Sequence, residues 1–73
     1  MTPAQARALA PGALVSMRYL GVRRWALVHR ITELRVYLTT ERLPAHLEPL
    51  SLEWVRPHCL QPEMTAAQAA QIR

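Results

Sequence analysis

Residues 15–40 read VSMRYLGVRRWALVHRITELRVYLTT. In an extended chain Val15, Met17 and Tyr19 fall on one side, and Leu14, Ser16, Arg18 and Leu20 on the other. Gly21 supplies a turn. Residues 22–31 form the longest strand candidate. One side carries Trp25, Leu27, His29 and Ile31; the other carries Arg24, Ala26, Val28 and Arg30. Both sides hold residues suited to a core, and a slip of one residue would exchange them. A long strand bent by a bulge near residues 26–29, burying part of each side, resolves the conflict. Thr32, Glu33 and Leu34 mark the next turn. Residues 35–40 then alternate, with Val36 and Leu38 opposite Arg35, Tyr37 and Thr39. The stretch predicts three consecutive antiparallel strands.

Outward from this meander, Pro44 and Pro49 bracket a loop over residues 41–49, because proline lacks the donor that a central strand needs. Residues 50–55 read as a fourth strand, with Leu50, Leu52 and Trp54 on one face and Ser51, Glu53 and Val55 on the other. Pro57 stops it. His58, Cys59 and Leu60 form a single tight turn that sends Leu60 into the core. At the N-terminus Thr2, Pro3 and Gln5 fit a helix start with a capping box, and Pro11-Gly12 ends that helix. Thr65 with Gln68 repeats the capping pattern before an Ala-rich tail. The expected organisation is a short helix over 1–11, a β domain over 12–62 and a helical or frayed tail over 63–73.

A chain of 73 residues makes one small domain. Such a chain buries only about 60–65% of the surface its unfolded form exposes, so its core is marginal. No apolar run approaches the roughly 20 residues that span a bilayer, and the N-terminus lacks the apolar core of a signal peptide. A cytoplasmic protein without a membrane partner is the expectation. One cysteine, Cys59, forms no intrachain disulfide and no Cys-based zinc site, and a buried, inert thiol is expected. His29, His46 and His58 have no zinc-binding spacing, so no metal or other cofactor is expected. There is no Asp, no Gly-rich phosphate loop and no nucleophile elbow, so no catalytic residue is assigned. An enzyme here would need a cleft or pore made by oligomerisation.

Net charge is +4, and all nine basic residues are Arg. High Ala and Arg without Lys is what a GC-rich genome writes. The same arginines can also form a surface for phosphate or carboxylate, which the guanidinium grips through two parallel hydrogen bonds. Arg18, Arg23, Arg24, Arg30 and Arg35 all fall on the meander, with Trp25 and Tyr37 among them. Phosphate contacts from arginine and base stacking on an aromatic ring would make this a DNA or RNA surface. The plain alternative is a solvated face with Glu33, Glu41 and Glu53 as partners. A second functional reading is a protein-interaction module or inhibitor of the kind that phages, plasmids or gene cassettes encode. Its partner, or a second copy of the chain, would then meet an apolar patch of Trp25, Leu43, Leu47 and Trp54.

Gly12-Ala13-Leu14-Val15, Arg24-Trp25-Ala26-Leu27-Val28, and Glu53-Trp54-Val55 followed by Leu60-Gln61-Pro62 resemble the opening, second-strand and closing words of Tudor-type domains. The resemblance covers residues 12–62. It implies a mostly β fold, an SH3-like small barrel of four to five antiparallel strands, here flanked by short Ala-rich helices at both termini. It also implies an aromatic cage for a methylated Lys or Arg, for which Tyr19, Trp25 and Tyr37 are the positional candidates. The family's Asp-Tyr-Gly-Asn word after the third strand is replaced by Thr39-Thr40-Glu41-Arg42, which speaks against that ligand.

Overall fold

A computed structural model describes residues 11–71. It contains β1 (Leu14–Tyr19), β2 (Val22–Ile31), β3 (Val36–Thr39), β4 (Trp54–Val55), a single-turn 3-10 helix (Pro57–Cys59), β5 (Gln61–Met64) and the short helix α1 (Ala66–Ala70). The helix expected over 1–11 lies outside the described residues. The strands form one antiparallel sheet in the order β4-β3-β2-β1-β5. No helix among the described residues is long and apolar enough to cross a membrane.

β1 and β2 join through Leu20 and Gly21 alone, because Tyr19 pairs with Val22. Both turn residues have positive φ, 53° and 84°. This is the signature of the mirror-image turn whose twist matches the strands it connects. Gly21 takes that conformation freely, whereas Leu20 takes it at a steric cost.

β2 and β3 pair as Leu27 with Thr39 and Val28 with Leu38. The register then shifts, and Arg30 pairs with Tyr37 and Ile31 with Val36. The extra residue is His29, so the bend expected near residues 26–29 sits at the far end of that window. Ala26 and Val28 before the bulge, and Ile31 after it, all pack into the main core. Trp25 and Leu27 join a second apolar cluster on the other face. Both sides of β2 are used, at different points along its length.

The main core contains Val15, Val28, Val36, Leu50, Val55 and Leu60, all buried. The edge strands β4 and β5 lie at opposite ends of the sheet, yet only residues 56–60 link them. A flat five-stranded sheet would hold its edges about 19 Å apart. The coiled link reaches roughly 16 Å, since a 3-10 turn rises only about 2 Å per residue. The sheet therefore curls around the core, open between β4 and β5. Pro57 and Leu60 are buried and Cys59 is exposed, which corrects the expectation of a buried thiol. A 3-10 helix has three residues per turn, so Pro57 and Leu60, three positions apart, share the inward side while His58 and Cys59 face out.

Residues 50–53 do not continue β4. The Leu50 N–H donates to the Trp25 carbonyl (2.8 Å), and the Trp25 N–H donates to the Glu48 carbonyl (2.9 Å), extending the ladder on β2 where β3 has ended. The alternation expected through Leu50, Leu52 and Trp54 breaks there: Leu50 and Val55 are buried and Trp54 is outward. β5 extends to Met64, so the first part of the expected tail belongs to the sheet. The capping box forms as expected. The Gln68 N–H donates to Thr65 Oγ1 (3.2 Å) and the Thr65 N–H donates to Gln68 Oε1 (3.0 Å). Ala69 then packs on Leu14 and Leu27.

β5 is fastened by a polar network. The fully buried Ser16 hydroxyl donates to Glu63 Oε1 (2.6 Å) and accepts from Arg23 Nη1 (2.9 Å). A hydrogen bond to a charged group contributes about 1.5–3 kcal/mol. Ser16→Ala is expected to lower unfolding free energy by about that amount in urea titration. Leu20→Asn should raise it by roughly 0.5–1 kcal/mol, because Asn tolerates the left-handed region and Leu20, 77% exposed, loses no burial. Unchanged stability in either variant would contradict the geometry given for that site.

Candidate nucleic-acid interface

The bulge decides which side chains reach the outer face of the sheet. β1 and β2 place Arg18 opposite Arg23 and Ser16 opposite Trp25 on that face. Beyond His29 the same face carries Arg30 on β2, Tyr37 on β3 and Trp54 on β4, paired across three strands. Arg35 precedes β3 on the same side. Four of the five nominated arginines, Arg18, Arg23, Arg30 and Arg35, therefore share one face with Trp25, Tyr37 and Trp54. Arg24 lies on the opposite face, opposite Met17.

The middle of the outer face is covered. Leu43 and Leu47, from the loop before β4, pack with Leu14, Trp25, Leu27 and Met64. This leaves two separate ends. At one end, Arg18 and Arg23 are cross-strand neighbours, a like-charged pairing that is unfavourable by itself. Arg23 is held by Ser16 and by Gln61 Oε1 (3.3 Å). At the other end Arg30 lies 4.3 Å from the centre of the Tyr37 ring, and Arg35 lies 4.3 Å from the centre of the Trp54 ring. Cation–π contacts at exposed sites contribute about 0.5–1 kcal/mol each. Arg35 Nη1 also donates a long hydrogen bond to the Tyr37 hydroxyl (3.4 Å).

Charge pairing separates these groups further. Among the described residues the Arg–Glu ion pair is Arg24 with Glu48, at 3.3 Å. Arg24 Nε also donates to the Tyr19 carbonyl (3.0 Å). Arg24 is thus partly neutralised and tied down. Arg30 and Arg35 have no carboxylate within ion-pair reach among the described residues, and the expected partners Glu33, Glu41 and Glu53 do not pair with them. Beside Trp54 a cleft of about 380 Å³ opens between Leu34, Arg35, Arg56 and Pro57, with Glu33 and His58 also in its walls.

The cage candidates do not converge. Tyr19 packs against the main core, while Trp25 and Tyr37 are on the outer face. Trp25 lies five residues along β2 from Arg30, the partner of Tyr37, a separation of about 17 Å. The apolar patch also divides: Trp25, Leu43 and Leu47 bury one another, and Trp54 stands apart on β4. Arg56 was not singled out from sequence, and His58 was considered there as a metal ligand and a turn residue, not as part of this face. Outward Trp54 would have implied Arg56 on its side, had the Leu50, Leu52 and Trp54 pattern not suggested the opposite assignment. No group of three potential metal ligands occurs among the described residues.

Comparison with protein-family models, with curated proteins and with solved structures gives no match for the chain.

The Arg35 hydrogen bond, aided by the positive charges of Arg35 and Arg30, lowers the Tyr37 pKa from the ordinary phenol value of about 10, with partial desolvation opposing. A lowered folded-state pKa adds stability that is complete above the unfolded value near 10 and is lost as pH falls through the folded value. Ultraviolet titration of the two tyrosines should show one ionising below the free phenol, and Arg35→Ala should move that midpoint upward. An unmoved midpoint would remove Arg35 as the cause.

Proposed function

We propose that this chain is a non-catalytic SH3-like small barrel that binds DNA or RNA through the outer arginine–aromatic face. The barrel reading is supported by the order β4-β3-β2-β1-β5, the long bent β2 and the 3-10 turn between the last two strands. The function rests on one observation: the Arg30, Tyr37 and Trp54 row, with Arg35 alongside, presents cations without carboxylate partners among the described residues. Stacking on the rings limits the freedom of two long side chains, so less entropy is lost when phosphates bind. Guanidiniums stay charged at any ordinary pH and do not exchange protons usefully. Such a set neutralises and positions an anion, which fits binding rather than acid–base chemistry. A run of phosphates matches several cations spaced along a face better than a single carboxylate does. Arg18 and Arg23 extend the same face at its far end.

Affinity for short DNA and RNA strands should fall steeply between about 50 and 200 mM salt. In fluorescence anisotropy, Arg30→Ala and Arg35→Ala should each weaken binding and reduce the salt slope by about 1. Arg24→Ala should leave the slope nearly unchanged, because its charge is already paired. Affinity indifferent to salt would refute the proposal.

A further inference from the structure

The cleft beside Trp54 has a composition that phosphate binding alone does not require. Leu34, Trp54 and Pro57 give it apolar walls; Arg35 and Arg56 add cations; Glu33 adds a carboxylate. Leu34 is 75% exposed and Trp54 37% exposed, so both present free apolar surface to the cleft. The volume of about 380 Å³ lies within the range of small-molecule sites. The Arg35 guanidinium 4.3 Å from the indole ring makes a paired stacking surface. Bases stack on aromatic rings and on guanidinium planes alike. A phosphate entering the cleft would meet the negative charge of Glu33, whereas a base can donate an exocyclic amino hydrogen to it.

We propose that this cleft takes one unpaired base of a single strand, stacked on Arg35 and Trp54, with the adjoining phosphate on Arg56. The inference rests on the nucleic-acid reading above and deepens it, since a paired base could enter only at the cost of unpairing and unstacking. Selectivity for single strands over duplex then comes from the cleft, and salt dependence from the arginines around it.

The test is anisotropy of the full chain with a labelled single strand of about 12 nucleotides, within the span such surfaces cover, and with its duplex at the same salt. The single strand is expected to bind at least about 10-fold more tightly. Loss of one stacked base corresponds to roughly a 5- to 150-fold loss of affinity, so Trp54→Ala should weaken single-strand binding within that range. Trp54→Tyr, which keeps a stacking ring, should hold affinity to within a few-fold. Because Trp54 also pairs with Tyr37, Leu34→Glu provides a check that leaves strand pairing alone. Its added charge weakens binding to both forms, so the readout is the ratio of single-strand to duplex affinity, which should fall toward one. Equal binding of both forms by the unaltered chain, or a ratio unmoved by Leu34→Glu, overturns the cleft proposal while salt-dependent binding keeps the broader reading. No binding of either form at low salt overturns both.

Discussion

Everything on the outer face depends on the bulge at His29. A strand of strict alternation that buries Ala26 and Val28 would next bury Arg30 and expose Ile31. Burying an unpaired guanidinium costs far more than exposing an isoleucine. The shift of register between Val28 and Arg30 reverses both assignments, returning Ile31 to the core and Arg30 to the surface opposite Tyr37. The same extra residue bends β2, and the bend lets one short sheet curl far enough for Val55 and Leu60 to meet Val15. Core closure and the arginine–aromatic row thus have one local cause.

The arginines are chemically alike and structurally different. Arg24 has a carboxylate and a carbonyl, Arg23 is committed to holding β5 through Ser16, and Arg30 and Arg35 rest on aromatic rings. An ion pair cancels the field of the cation, and a buried hydrogen bond fixes it in place for structure. A cation–π contact does neither completely. It restrains the side chain while leaving the charge available to an incoming anion. Two positive charges therefore count more at the Tyr37 and Trp54 end than the net charge of the chain conveys.

Much of this was legible in the sequence because it follows from short-range rules. The turn at Gly21, the long second strand, the need for a bulge, the inward Leu60 and the Thr65–Gln68 capping box are all set by neighbours within a few positions. What was hidden depends on distant pairing. Nothing local says that Pro49 bridges to Trp25, with the Leu50 N–H on the Trp25 carbonyl; beyond that contact residues 50–53 leave the alternation and Trp54 faces outward. Nothing local says that Gln61 to Met64 will line β1 as a fifth strand. Of the five nominated arginines, Arg24 falls away from the others for a simpler reason: adjacent residues in a strand point to opposite faces, so Arg23 and Arg24 diverge.

The small size of the domain explains where the outer face stays open. A main core of a few valines and leucines leaves Leu14, Trp25 and Leu27 on the other side of the sheet, and a chain this short has little margin for exposing them. The loop before β4 and the last helix are drawn over that spot by Leu43, Leu47 and Ala69. Their cover ends where the outward apolar residues of β2 end, at Leu27 just before the bulge. Beyond it the face carries Arg30, Tyr37 and Trp54, with one guanidinium against each ring and Trp54 still partly exposed. The arrangement that stabilises the fold stops where the candidate interface starts, and His29 marks the boundary between them.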